Sequence, residues 1–205
     1  MSLYHEGSRR LQDRFDTRRL ADRIEERIVH DRIDDDDRAF IEARDMFFIA
    51  TVDADGRPQC SYKGGEPGFV RVVDEHTIAF PVYDGNGMYL TAGNLIATKN
   101  VGLLFIDFEG RKRVRLNGVA SVDESDPLRA EYPEAQLIVR VAATEVFPNC
   151  PRYIHQYGLV ARSRFVPKAD CETPVPQWKR NEWAHDVLPD GDPANDPDRE
   201  VIARG

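Results

Sequence analysis

The chain has 205 residues, a formal net charge of −8, 41% hydrophobic and 31% charged residues. That composition fits a globular fold with one sizeable core, and the acidic balance argues against a broad surface for duplex nucleic acid. No apolar run reaches the length of a membrane span, and the Arg-, Asp- and Glu-rich start lacks the apolar core of a secretory signal, so the expectations are a cytoplasmic location, no membrane and no nucleic acid.

Residues 9–30, RRLQDRFDTRRLADRIEERIVH, read as a helix. Leu11 and Phe15 are four apart, and Leu20, Ile24 and Ile28 continue that spacing after one slip. The resulting apolar stripe must pack on the chain's own core or on a partner subunit. The four consecutive Asp residues 34–37 sit where a second helix begins. Carboxylates there cap orphan amides and favour the positive end of the helix dipole. They lack the alternating ligand spacing, Gly and distant Glu of a calcium loop.

From Met46 the period changes to that of strands. MFFIATV, the turn DADG and RPQCSYKG predict a hairpin. GFVRVV and TIAFPV follow, then the glycine-softened stretch PVYDGNGMYLTAGNL, with helical texture from about Met88 to Thr98. VGLLFIDF, the turn EGRK, RVRLNGVASV and AQLIVRVAATEVF complete six or seven hairpin-connected strands between residues 46 and 147. Asp126 and Pro127 open a brief turn or helical segment before the last strand. The fold class read from this order is mainly β, an antiparallel barrel with N-terminal helices and an extended C-terminal tail. Three units follow: a helical extension over 1–45, a barrel over 46–147 and a C-terminal extension over 148–205. Seven of the thirteen prolines lie beyond residue 150, where CPRYIHQY suggests one or two helical turns and Trp178 to Trp183 another. The two tryptophans require a packing surface.

No nucleophile elbow, Walker loop or dinucleotide fingerprint is present. The cysteines Cys60, Cys150 and Cys171 form no CxxC pair, and the histidines His5, His30, His76, His155 and His185 form neither HxH nor HExxH. No metal site is therefore expected. Cys60 reads as a quiet, half-buried strand residue. Three polar groups remain: Ser61, Tyr62 and Lys63; the loop 84–94; and Arg111, Lys112, Arg113 and Arg115. Arg113 and Arg115 share one strand face, and Arg111 joins it if the strand starts early. If the strands carrying the first and third groups are neighbours, Lys63 and an Arg face one anionic ligand. A helix starting near Met88 or Tyr89 adds free backbone amides for a phosphate, and Thr91 a hydroxyl.

The series RPQCSYKG, FVRVV, TIAFP, DGNGMYLTAGNL, VGLLFIDF and RVRLNGVASV resembles the pyridoxamine 5'-phosphate oxidase-like split-barrel flavoproteins over residues 40–147. NCPRYI is similar to the post-barrel segment of a further branch of that group. The resemblance implies a six-stranded split barrel that dimerises, with FMN in a groove between subunits. It places Ser61, Tyr62 and Lys63 beside the flavin, and Phe80 and Pro81 near its ring or ribityl chain. Asn86, Met88, Tyr89 and Thr91 would make the loop-to-helix contacts, Thr91 at the phosphate. Asn94 would steady the helix or approach the cofactor, and Arg111 and Arg113 would approach the phosphate or ring edge. Asn117 and Gly118 would shape their strand. Two departures stand out. Many relatives carry an Arg or Arg-Lys pair at the helix start, whereas Met88 to Thr91 contains no base. The tail QWKRNEWAHD does not match the substrate-binding strand of true pyridoxamine phosphate oxidases. The resemblance thus implies an FMN-dependent oxidoreductase of another substrate, with a nicotinamide electron donor and a small organic acceptor as partners. Flavin storage or sensing, haem binding and a deazaflavin cofactor are the alternatives in the same architecture.

Overall fold

The computed structural model describes residues 2–203. Three helices come first: α1 (Glu6–Arg14), α2 (Arg18–Ile28) and α3 (Asp35–Glu42). The single helix expected over 9–30 is broken in two. Asp16 takes a left-handed backbone, φ 53°, at the slip in the apolar spacing. Only Ala21 of α1 and α2 is buried; Leu11, Phe15 and Leu20 stay more than half exposed. The stripe therefore does not pack on the chain's own core. The Asp run behaves as expected: Asp34 accepts the Asp37 amide at 2.8 Å and caps α3.

Seven strands follow: β1 (Met46–Val52), β2 (Pro58–Gly64), β3 (Arg71–Asp74), β4 (Thr77–Val82), β5 (Asn100–Asp107), β6 (Lys112–Asp123) and β7 (Leu137–Pro148). They form one antiparallel sheet in the order β2-β1-β5-β6-β7-β4-β3, curled as a split barrel. Alternation drives it: along β6, Val114, Leu116, Gly118 and Ala120 point inward and their neighbours outward. Phe47 centres the core, its ring 5.7 Å from Phe69, 5.0 Å from Phe80 and 5.3 Å from Phe105. Between β6 and β7 the register shifts at Asn117 and Gly118. A side chain at Gly118 would meet the Ala142 carbonyl, so the backbones can approach only with glycine there.

One further helix, α4 (Leu90–Ala97), crosses from β4 to β5 and packs on β1 and β6. The tail is mostly extended. CPRYIHQY forms a single turn and no helix, while short helical turns do form at Gln177–Arg180 and Glu182–His185. The tail lies on the barrel, with the Tyr157 amide bonded to the Phe108 carbonyl and Arg162 beside Asp45 and Glu66. Trp178 and Trp183 stack on each other, 5.8 Å apart, so their packing surface is largely mutual. Val175–Pro176 and Val201–Ile202 add a short parallel pair that the sequence pattern did not signal.

Candidate functional site

The stretch between β4 and α4 leaves the sheet at Val82, turns at Gly87 (φ 72°) and enters α4 through Tyr89. Asn86 braces this turn by accepting the Met88 amide at 3.1 Å. Tyr89 holds a left-handed backbone, φ 48°, which is unusual for an aromatic residue and costs energy. Its hydroxyl donates to Gln136 Oε1 at 2.8 Å, which secures the ring. Tyr89 gives no side-chain cap to α4. The first-turn amides of this helix therefore lack a side-chain acceptor from their capping residue.

Beside this helix start runs β2. The Thr91 hydroxyl donates to Ser61 Oγ at 3.2 Å. Deeper in, buried Asn94 donates to Thr51 Oγ1 at 3.0 Å and to Gln59 Oε1 at 3.3 Å. These bonds fix α4 against β1 and β2. Two grooves meet along that seam. The smaller, about 250 Å³, runs between Ser61–Lys63 and Gly85–Ala92. The larger, about 980 Å³, is bounded by β1, the 107–110 turn and tail residues Tyr157 to Val166. Tyr62, Lys63, Val82, Tyr83 and Gly85 line both.

Lys63 is the one charged side chain among the described residues lining the smaller groove, whereas Asp45, Asp84, Asp107 and Glu109 also line the larger. Arg44 and Arg162 also line the larger groove, but Arg44 lies 3.4 Å from Asp107, and Arg162 3.8 Å from Asp45. Among the described residues, Lys63 has no carboxylate within ion-pair distance. Burial alone pushes its ammonium below the usual lysine range. Asp84, one of those four acids lining the larger groove, is held 2.5 Å from Lys179, which also reaches Asp192 at 2.7 Å. Burial opposes the charge of Lys179, but Asp192 and Asp84 outweigh it and raise its pKa. Tyr83 is half-buried, and desolvation, then Tyr132, push its phenol up to about 12.

Of the residues singled out from sequence, Ser61, Tyr62, Lys63, Asn86, Met88, Tyr89 and Thr91 come together on the smaller groove. Asn94 lies beneath it as a bracing residue. Phe80 and Pro81 do not reach either groove: both are buried in the chain's own sheet, Phe80 against Phe47. Arg111 and Arg113 do not reach them either. Arg111 sits in the β5–β6 turn at φ 53°, so the strand does not start early enough to include it. Arg113 donates to the Cys150 carbonyl at 2.9 Å. β2 and β6 are separated by β1 and β5, so Lys63 and Arg113 are not neighbours within one chain. Cys60 is exposed rather than half-buried, because β2 is an edge strand. Sequence reasoning passed over Tyr83 and the tail wall. Tyr83 carried a signal, as an aromatic residue directly after a buried strand; the tail residues carried none.

The family described as pyridoxamine 5'-phosphate oxidase matches this chain over residues 33–156. No curated protein matches it. Three solved structures are similar in fold. HupZ of Group A Streptococcus is 17% identical, with a TM-score of 0.48, over 62% of this chain and 99% of that one. An FMN-binding protein of Syntrophomonas wolfei is 13% identical, with a TM-score of 0.43, over 69% and 97%. The heme storage protein HutZ of Vibrio cholerae is 21% identical, with a TM-score of 0.41, over 57% and 94%.

Proposed function

The chain belongs to the pyridoxamine 5'-phosphate oxidase family, and on that premise we propose that it is an FMN-dependent oxidoreductase whose substrate is not pyridoxamine phosphate. The observation that carries this reading is Lys63: a half-buried cation without a carboxylate partner, on the seam of two grooves and facing an uncapped helix start. Those residues suit an anionic, flat, amphipathic group. Lys63, the first-turn amides of α4 and the Thr91 hydroxyl, its proton turned from Ser61 to the ligand, would hold the phosphate. They stand in for the basic residue missing between Met88 and Thr91. Tyr62, 61% exposed on both grooves, would cover the ring, with Met88 and Tyr89 along its edge. FMN, when bound, supplies hydride or electron acceptance at its isoalloxazine. A nicotinamide donor and a small organic acceptor would meet it in the larger groove, where Tyr83 stays protonated and able to donate a hydrogen bond. Among the described residues no histidine lines either groove, which favours flavin over haem here.

The working unit would be a homodimer of the 46–147 barrel, flanked by the 1–45 and 148–205 extensions. Met88, Tyr89, Leu90 and Ile96 expose a run of apolar surface along α4 and its entry, which supports it. Arg111 and Arg113, remote from Lys63 in one chain, would then be offered to the neighbouring subunit's site. Light scattering is expected to return twice the chain mass of 23.4 kDa. A single-chain mass would remove that role for both arginines. The principal test is the spectrum of the purified protein. Flavin absorption and releasable FMN are expected, with reduction by a nicotinamide faster than for free FMN. A colourless protein that takes up no added FMN would overturn the proposal. FMN binding without accelerated reduction would turn it toward storage or sensing.

A further inference from the structure

The α2–α3 linker carries a cluster far from both grooves. His30 is fixed to β7 by two backbone hydrogen bonds with Val146, 3.1 Å and 2.7 Å long. Its ring Nδ1 lies 2.5 Å from the Arg32 carbonyl, an acceptor only, so Nδ1 carries the proton. In the neutral form of the ring Nε2 therefore presents a lone pair. That atom faces Asp37 Oδ2 at 3.5 Å. Asp37 is 8% exposed, and its Oδ2 is buried without a hydrogen-bond partner. Asp34 closes the group: its Oδ1 caps α3, leaving a second carboxylate oxygen. Ligand atoms from His30, Asp34 and Asp37 all lie within 4.8 Å of one another. The nearby bases are engaged elsewhere, Arg32 with Glu75 and Arg38 with Glu42.

We propose that His30, Asp34 and Asp37 form a binding site for a divalent cation of the zinc class, which clamps the N-terminal helices to the barrel. Two lone pairs facing each other at 3.5 Å, one of them buried and unpartnered, are stabilised by a cation between them. Two atoms each ~2.1 Å from a tetrahedral ion stand ~3.4 Å apart, close to the observed separation. The backbone carbonyl on Nδ1 is the usual outer partner of a metal-bound imidazole. A nitrogen ligand beside two carboxylates disfavours magnesium and calcium, which prefer oxygen alone. Three protein ligands leave the fourth position to water. The ion would tie Asp34, the cap of α3, and Asp37 within it to His30 of the linker, whose backbone is bonded to Val146 of β7.

The test uses the full chain, freed of metal by a chelator and titrated with zinc by calorimetry and thermal unfolding. One zinc per chain and a raised unfolding midpoint are expected, with no such rise from magnesium at the same concentration. His30→Gln and Asp37→Asn should each weaken zinc binding by about tenfold or more. Asp37→Asn keeps the shape of the side chain and His30→Gln its approximate size, and coincident circular dichroism would show that the fold is retained. Asp35→Asn and Asp36→Asn, exposed on the same turn, should leave zinc affinity unchanged. Equal binding by wild type and the two ligand variants would overturn the site. So would equal weakening by the Asp35 and Asp36 variants, which would mark attraction to the acidic run as a whole.

Discussion

Lys63 concentrates the chemistry of the site in one side chain. In the protein without ligand its charge is a burden, because burial lowers its pKa and no carboxylate compensates within ion-pair distance. The unfolded chain therefore binds this proton more tightly than the folded one. The contribution of Lys63 to stability rises as pH rises through its lowered pKa toward the ordinary lysine value. A bound phosphate reverses the preference, since it needs the ammonium. FMN affinity should accordingly fall as pH rises through the same window, which a fluorescence titration at several pH values would read. Lys63→Arg, whose charge persists, should flatten that fall, whereas a pH-independent affinity in the wild type would remove Lys63 from the phosphate. Lys63→Met should weaken FMN by about 1.5–3 kcal/mol, roughly 10- to 150-fold in Kd. Unchanged affinity would mean the phosphate lies elsewhere.

At the level of elements, the site depends on how α4 is held to the barrel edge. Asn94 is the buried bolt, and Asn94→Leu would leave the Thr51 hydroxyl without its donor. A loss of about 1–3 kcal/mol in urea unfolding is expected, with FMN affinity reduced as the helix start loosens. Loss of stability with intact affinity would show that α4 keeps its place without Asn94. The β6–β7 pair has its own critical point. Gly118→Ala sets a methyl group against the Ala142 carbonyl and the Val141 side chain. Two long strands must then part, at about 1–3 kcal/mol. The same measurement checks it, and a neutral result would mean the register shift relaxes. Both strands were readable from alternation, but the shift was not, since it depends on which residues face each other.

Across the whole molecule, the tail and the loop between β4 and α4 are joined through Lys179. Lys179, only 4% exposed in its side chain, bridges Asp192 of the tail and Asp84 of the loop. Lys179→Met would strand Asp192 in the interior and free Asp84. A cost of about 3 kcal/mol is expected, the low end for a broken buried pair because Asp84 is half exposed. Asp84 would then repel a phosphate nearby, so FMN should also bind more weakly, and more so at low salt. Calorimetric unfolding and FMN titration at two ionic strengths would measure both. Equal FMN affinity in the variant would separate the tail from the site.

Alternating or continuous apolar runs bounded by turn residues marked all seven strands, and the helical texture after Gly87 marked α4, because burial writes itself into local sequence. The order of motifs was enough to place the chain in its family, and Ser61, Tyr62, Lys63 and the 86–91 stretch all reached one groove. The apolar spacing also contained the break between α1 and α2, visible as a slip. Strand order left no such trace. It put two strands between Lys63 and Arg113, and turned Phe80 and Pro81 into core. The contacts of Lys179 with Asp84 and of His30 with Asp37 join segments 95 and 7 residues apart. Neither pairing has a periodicity to announce it. They exist because the sheet's curl and the docked tail bring those charges together, and only the folded chain sets which of them are buried and which are left without a partner.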